Sequence, residues 1–160
     1  MVIRPFRADD AGAVAALTLA AIRAIGARAY SPAQIAAWAA RHPAPERFLE
    51  RAQKGDRILV AVDGADRPAA YALTEADGHL DMLYCHPDHA GRGLGLALLE
   101  AAEAEARGSG IARLYTEASE LARPVFARAG WHLLHRRDFT IGEGEAATPI
   151  HNYAMEKILV

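Results

Sequence analysis

Apolar and polar positions in the first third of the chain repeat at helical spacing after one short apolar segment. Residues 2–6 form that segment and predict a first strand, and Asp9 or Asp10 can cap the helix that follows. A third helix is predicted over residues 45–54. One face of the first helix is marked by Val14, Leu17, Ala21 and Ile25.

The start of the second helix is indicated by its capping residues. Ser31 and Gln34 match a capping box, in which each side chain bonds the other's backbone, with a proline preset at the first helical position between them. This pattern predicts a helix through Trp38. It should end before Pro43, because the residue ahead of a proline avoids helical geometry.

The pattern then changes to the alternation and short apolar runs that are typical of strands. Strands are predicted over residues 58–62, 69–75 and 79–85, and the short turns between them imply antiparallel neighbours. The remaining elements are a helix that follows the glycines of residues 91–95 and ends at Gly108-Ser109-Gly110, a strand at 111–116, a helix at 119–129, and strands at 133–141 and 150–158. The sum is an α/β fold of the α+β type, with one strand–helix–strand crossover, residues 79–116, as its parallel part.

Length and composition indicate one globular domain, residues 1–160. Hydrophobic residues make up 52% and charged residues 24%, and no apolar run approaches the roughly 20 residues of a membrane helix, so we expect no membrane span. Charge comes too early at the amino terminus for a secretory signal, which predicts a cytoplasmic protein. A net charge of −2 gives no reason to expect nucleic-acid binding. One cysteine, Cys85, excludes an internal disulfide.

The segment that carries chemistry is residues 79–99, a strand followed by a proline turn, a glycine loop and a helix. Glycines at 91, 93 and 95 let a ligand approach the backbone, and the helix amino terminus behind them favours phosphate. Arg92 would add a charge. A dinucleotide fingerprint needs a third glycine where Leu96 stands, and a nucleoside triphosphate loop needs Gly-Lys-Ser/Thr, which the loop lacks.

This loop resembles the central motif of the GNAT acyltransferases, which move an acetyl group from acetyl-coenzyme A to an amine. Their motif, (Gln/Arg)-x-x-Gly-x-(Gly/Ala) after the fourth strand, is occupied here by Ala90-Gly91-Arg92-Gly93-Leu94-Gly95. The resemblance covers nearly the whole chain. Four other segments support it, namely residues 3–5, 85–87, 122–131 and 153–159.

The resemblance implies a fold and a coenzyme site. The expected fold is a mixed, largely antiparallel seven-stranded sheet flanked by about five helices, with the fourth and fifth strands splayed around the pantetheine arm. The pyrophosphate would rest on the glycine-loop amides, without a metal cofactor. The residues that this resemblance places against the coenzyme are Leu83, Tyr84, Cys85, Ala90, Gly91, Arg92, Gly93, Leu94, Gly95, Ser119 and Phe126.

Two positions depart from the family pattern. Ala90 stands where Gln or Arg is usual, so one polar coenzyme contact is missing. Phe126 stands where many relatives have a tyrosine that protonates the departing thiolate. The expected activity is N-acetylation of a primary amine, on a small molecule or a peptide, by direct attack in a ternary complex. The alternative is a non-catalytic acyl-coenzyme A sensor on the same fold, and the resemblance also allows a homodimer.

Amine acetylation needs a group that takes the proton of the amine. Alternation puts His79 and Asp81 on one strand face with Leu83 and Cys85, and relatives often carry Glu or His at the first two positions. These two residues are the candidate bases, and Glu117 is a weaker candidate.

The acceptor pocket and a metal site depend on weaker signals. Tyr30 and Trp38, near the second helix, are candidates for the acceptor pocket, although packing in the core explains them equally well. Adjacent ligands on a single loop rarely converge on a metal, so none is expected. The loop residues considered for that role are Cys85, His86, Asp88 and His89.

Overall fold

A computed structural model describes residues 1–159, which form seven strands and five α-helices joined by short turns. The strands are β1 (Val2–Pro5), β2 (Arg57–Val62), β3 (Pro68–Thr74), β4 (Leu80–Cys85), β5 (Arg113–Ala118), β6 (His132–Ile141) and β7 (Thr148–Ile158). The helices are α1 (Ala11–Ala24), α2 (Pro32–Ala39), α3 (Pro45–Lys54), α4 (Leu94–Gly108) and α5 (Arg123–Arg128).

The predicted helix boundaries are largely confirmed. At the start of α2 the Ser31 hydroxyl accepts from the Gln34 N–H at 3.1 Å, and the Gln34 side chain accepts from the Ser31 N–H at 2.8 Å. Helix α3 closes at Gly55, whose φ of 107° is left-handed. The helix predicted over residues 119–129 is wrong in its first turns, since α5 begins only at Arg123, ahead of a first-turn proline.

The strands divide into two antiparallel sheets, ordered β1-β2-β3-β4 and β5-β7-β6. Within residues 1–159 a single parallel bridge between His79 and Tyr115 joins them, and β4 and β5 share no further ladder. The predicted fold, mixed and largely antiparallel with splayed central strands, is confirmed.

The helices cover opposite faces of this divided sheet. Helices α4 and α5 pack on one face through Leu98, Leu99 and Phe126. Helices α1 and α3 pack on the other through Leu17 and Phe48, while α2 lies against β6 and β7. The gap between β4 and β5 is therefore covered by α4 and α5 on one face and by α1 and α3 on the other.

The expectation that no apolar run approaches the length of a membrane helix is wrong. The segment Ala8–Arg28 is long and apolar enough to cross a membrane by length and composition. Its alanines make the whole circumference count as apolar, yet Val14, Leu17 and Ile22 are almost completely buried in the domain core. A core helix passes the same test, and half of this segment is buried inside the fold.

Candidate active site

The gap between β4 and β5 leaves part of the β4 backbone without a partner strand. In an antiparallel ladder only alternate residues bond the neighbouring strand, and the N–H of His86 donates to the Ala69 carbonyl on the β3 side at 2.8 Å. The backbone groups of Tyr84, two residues earlier, also point towards β3. The backbone groups of Leu83 and Cys85 therefore face the gap, as a ligand lying along β4 requires.

A β-bulge at Asp81 corrects the predicted arrangement of side chains on β4. Leu73 pairs with Met82 and Thr74 pairs with Leu80, so Asp81 is an extra residue in the ladder. Because of this extra residue, side chains before and after the bulge no longer follow one regular alternation between the two faces of the sheet.

The expectation that His79, Asp81, Leu83 and Cys85 share one face is therefore wrong. Leu83 and Cys85 pack towards α4, whereas Asp81 bonds Arg51 of α3 on the opposite side.

The glycine loop offers a row of free backbone donors. Gly91 and Gly93 have φ of 76° and 79°, and a Cβ built on either would meet open space. No acceptor within residues 1–159 bonds the N–H groups of residues 91–96, which run into the first turn of α4. This arrangement suits phosphate oxygens. The gap lies nearby, because a Cβ at Gly95 would meet Val125 at 3.2 Å and Leu83 at 4.0 Å.

Two other predicted coenzyme residues lie at the edge of this loop. Ala90 has extended backbone at the end of the preceding turn, and its methyl group adds no polar contact. Burial raises the pKa of the Cys85 thiol, an effect that the positive charge of Arg92 partly offsets. The thiol of Cys85 is therefore a poor nucleophile.

A cavity of about 770 Å³ opens between the two sheets and reaches the side covered by α1, α2 and α3. Aspartate, glutamate and aromatic side chains line it together with four arginines. The predicted site residues in its wall are Tyr30, Trp38, Asp81, Leu83, Tyr84, Glu117, Ser119 and Phe126. His79 is not among the lining residues, and the glycine loop lies outside it.

His79 lies behind Glu117, between two carboxylates. Its Nε2 is 2.9 Å from one Glu117 oxygen, its Nδ1 is 2.5 Å from Glu75, and its ring stacks on Tyr115 with centroids 4.9 Å apart. The hydrogen bond to Glu117, against the opposing effect of burial and with the help of Glu75, raises the pKa of His79 to about 9. At neutral pH the ring is thus an imidazolium, which has no free nitrogen to accept a proton.

Glu117 lines the cavity from β5. Its hydrogen bond with His79, only partly opposed by burial, lowers its pKa, and the charges of His79 and Arg137 act in the same direction. Asp81 also lines the cavity, but an oxygen of its carboxylate is 2.9 Å from the Arg51 guanidinium. Glu117 is therefore the carboxylate that faces the cavity without being held by a guanidinium.

The atoms of Glu75, His79 and Asp81 also approach one another within 4.8 Å, a spacing that a metal could use. Each of them has another partner in the described chain. His79 uses both nitrogens on carboxylates, and Asp81 bonds Arg51. The arrangement is explained as an ion-pair network.

Tyr30, Trp38 and Tyr84 form an aromatic wall. Tyr30 and Trp38 meet edge to face at 5.6 Å, and Trp38 lies 6.3 Å from Tyr84. The Tyr30 hydroxyl accepts from the N–H of Glu120 at 2.8 Å and donates to the His151 carbonyl at 3.0 Å. Burial raises the pKa of Tyr84 to about 12, so it remains a neutral phenol. The wall is rigid and mainly apolar.

Ser119 and Phe126 lie on the α5 side of the cavity. The Ser119 hydroxyl accepts from the N–H of Ala122 at 3.1 Å, which orders the turn before α5. Phe126 is buried and packs edge to face on Trp131 at 4.8 Å. Its ring offers an apolar surface to the gap and has no proton to donate.

Sequence reasoning missed the basic wall of the cavity. Arg41 comes from the α2–α3 connection, Arg47 from α3 and Arg137 from β6. The neutral side chain of Asn152, from β7, lies in the same wall. The signal for Arg137 was present, since it shares a strand face with Phe139 by alternation. The arginines of the α2–α3 segment carry no such signal.

Fold and site together define a class of protein, and comparison with known proteins gives the same one. Residues 26–144, about three quarters of the chain, match the family model described as an acetyltransferase (GNAT) domain. The chain belongs to the GNAT acetyltransferase family.

Individual relatives agree along almost the full length. A GCN5-related N-acetyltransferase from Rhodopseudomonas palustris, whose name also includes "Aminotransferase, Class-II", is 32% identical, with a TM-score of 0.86 over 99% of this chain and 95% of that one. The uncharacterized N-acetyltransferase YafP of Escherichia coli (strain K12) is 28% identical over 138 residues, 84% of this chain and 83% of its own.

A more distant structure carries a coenzyme. PaiA N-acetyltransferase from Thermoplasma acidophilum, solved in complex with coenzyme A, has a TM-score of 0.77 at 18% identity and covers 98% of each chain. At this identity the likeness shows the shared fold.

Proposed function

We propose that the protein transfers the acetyl group of acetyl-coenzyme A to a primary amine by direct attack in a ternary complex. The observation that carries the proposal is the gap between β4 and β5 with the free N–H groups of residues 91–96 beside it. Acetyl-coenzyme A supplies the activated acyl group as a thioester. A splayed sheet edge and an anion-binding loop match its two chemically different parts.

The chain's own groups divide the binding work. The N–H groups of residues 91–96 hold the pyrophosphate with the dipole of α4 behind them, and Arg92 adds a charge. The gap-facing backbone of Leu83 and Cys85 bonds the pantetheine amides. One such N–H on β4 can also stabilise the oxyanion that forms at the thioester carbonyl.

Glu117 is the proposed base. The amine attacks in its neutral form, after its ammonium group has released one proton to solvent. As its nitrogen bonds to the acyl carbon and the carbon–sulfur bond breaks, it loses a second proton, which the Glu117 carboxylate takes directly or through one water. His79 is a positioning residue, because its imidazolium fixes the orientation of Glu117 and is itself held by Glu75. Phe126 donates no proton, so the thiolate leaves unprotonated or takes a proton from water.

The test of the coenzyme site is Gly93→Val, measured by calorimetric titration with coenzyme A. A side chain at Gly93 would enter the space in front of the donors, and we expect affinity to fall at least 100-fold. Gly110→Val is the matched control, because Gly110 also has a positive φ of 76° and open space but lies beyond the far end of α4. Equal binding by wild type and Gly93→Val would contradict the site.

The test of catalysis is release of free thiol with a panel of amines. Turnover with any of them supports the transferase. The sensor alternative is motivated by Ala90 and Phe126, and it predicts coenzyme binding without turnover on any amine. A negative panel with intact coenzyme binding would therefore favour the sensor.

A further inference from the structure

The charges in the cavity wall differ in sign from the charge of the whole chain. The chain has a net charge of −2, yet the charged side chains lining the cavity are four arginines and two carboxylates. Some of these charges already have a partner of opposite charge, since Arg51 bonds Asp81 and Glu117 bonds His79. Arg47 lies 4.0 Å from the Glu50 carboxylate, so the positive charges left over are Arg41 and Arg137.

Arg137 is the inner one of these two arginines. It is half-buried on the β6 face that α2 covers, its Nη1 donates to the Asn152 side-chain oxygen at 3.0 Å, and its guanidinium lies over Phe139. No carboxylate of residues 1–159 lies within 4.0 Å of it, and four of its five N–H donors have no acceptor among those residues. A half-buried guanidinium with free donors and no carboxylate partner is suited to bind the carboxylate of a ligand.

The coenzyme does not account for this charge. The free N–H groups that suit its pyrophosphate belong to residues 91–96, which do not line the cavity. Arg137, by contrast, lies on the side of α2 and close enough to Glu117 for its charge to lower the pKa of that carboxylate. The wall of the cavity therefore contains both a carboxylate and a guanidinium, in addition to the coenzyme site.

We propose that the acceptor is an amino acid, with its amine at Glu117 and its carboxylate at Arg137. This inference rests on the proposed function and names its substrate class. A zwitterion matches two opposite charges in the wall of one cavity, whereas a plain amine leaves Arg137 unpaired in the complex. Arg41, on the rim, attracts the anion without fixing its position, and the aromatic wall of Tyr30, Trp38 and Tyr84 receives an apolar side chain.

The experiment compares the standard amino acids with their amides and their decarboxylated amines as acceptors for thiol release. For the best amino acid we expect a kcat/KM at least tenfold above that of its amide. In Arg137→Gln this preference should fall at least tenfold, mainly through KM, and Arg137→Lys should recover part of it. Arg136→Gln is the control, because Arg136 bonds Asp138 and does not line the cavity.

Equal use of acid and amide by the wild type, or an unchanged preference in Arg137→Gln, would overturn the inference. If no amine is acetylated, the proposed function fails but the inference can still be judged. Calorimetric titration of the coenzyme A complex with the same acids and amides should then show at least tenfold tighter binding of an acid. Equal binding of both would refute the carboxylate site on its own.

Discussion

The ion pair between His79 and Glu117 predicts how stability depends on pH. Because the pKa of His79 rises from 6.5 to about 9 on folding, the folded chain holds a proton that the unfolded chain releases. The contribution is complete below pH 6.5, falls as the pH rises towards 9, and is lost above it. The perturbation that isolates it is His79→Gln, which keeps a hydrogen-bonding side chain and removes the titration.

The size of the effect follows from the two pKa values. At about 1.36 kcal/mol per pH unit, the difference between 6.5 and about 9 corresponds to roughly 3 kcal/mol. Glu75 and Glu117 are each about a third exposed, and solvent screening reduces the figure to about 1–2 kcal/mol. Wild type should therefore exceed His79→Gln by about 1–2 kcal/mol more at pH 6 than at pH 10.

The assay is urea unfolding of wild type and variant at pH 6, 7.5, 9 and 10. Groups that titrate in both proteins cancel in the difference between the two free energies of unfolding. His132→Gln is the control, because it makes the same change of side chain at an exposed position on the edge strand β6. A constant difference between wild type and His79→Gln from pH 6 to 10 would refute the argument.

Two further predictions test single side chains. Glu117→Gln should lower turnover, measured by steady-state thiol release, by about 10²–10⁴-fold with coenzyme affinity unchanged. Asp81→Asn should lower turnover less than tenfold, because Arg51 already holds that carboxylate. If Asp81→Asn has the larger effect, the base is Asp81. Tyr30→Phe leaves the part-buried N–H of Glu120 without its acceptor and should cost about 1 kcal/mol in urea unfolding. A loss below 0.5 kcal/mol would show that water replaces the hydroxyl.

The glycine loop could be predicted from sequence because its residue types reflect its backbone. Gly91 and Gly93 adopt positive φ, which other residues rarely do, and the free N–H groups follow from the position of the loop at a helix start. The splay of β4 and β5 came with the family resemblance.

The catalytic side chains could not be placed in the same way. Alternation assigns faces only in a regular strand, and the bulge at Asp81 moved that residue to the face opposite the predicted one. His79, the residue before β4, forms its ion pair with Glu117 of β5, which is 38 residues further along the chain. Only the three-dimensional structure shows that His79 lies behind the cavity wall between two carboxylates, which raise its pKa.

Arg137 links substrate recognition to the proposed base. The hydrogen bond from His79 is the main cause of the low pKa of Glu117, and the charge of Arg137 acts in the same direction. An amino acid and its amide bring the same ammonium to Glu117, but only the carboxylate of the amino acid neutralises part of the field of Arg137, so the pKa of Glu117 should be higher with the amino acid bound than with the amide. An amino acid would thus improve the base that deprotonates it, whereas an amide would leave the field of Arg137 in place. The amide should therefore show a somewhat lower kcat, in addition to the larger rise in KM that the missing carboxylate contact causes.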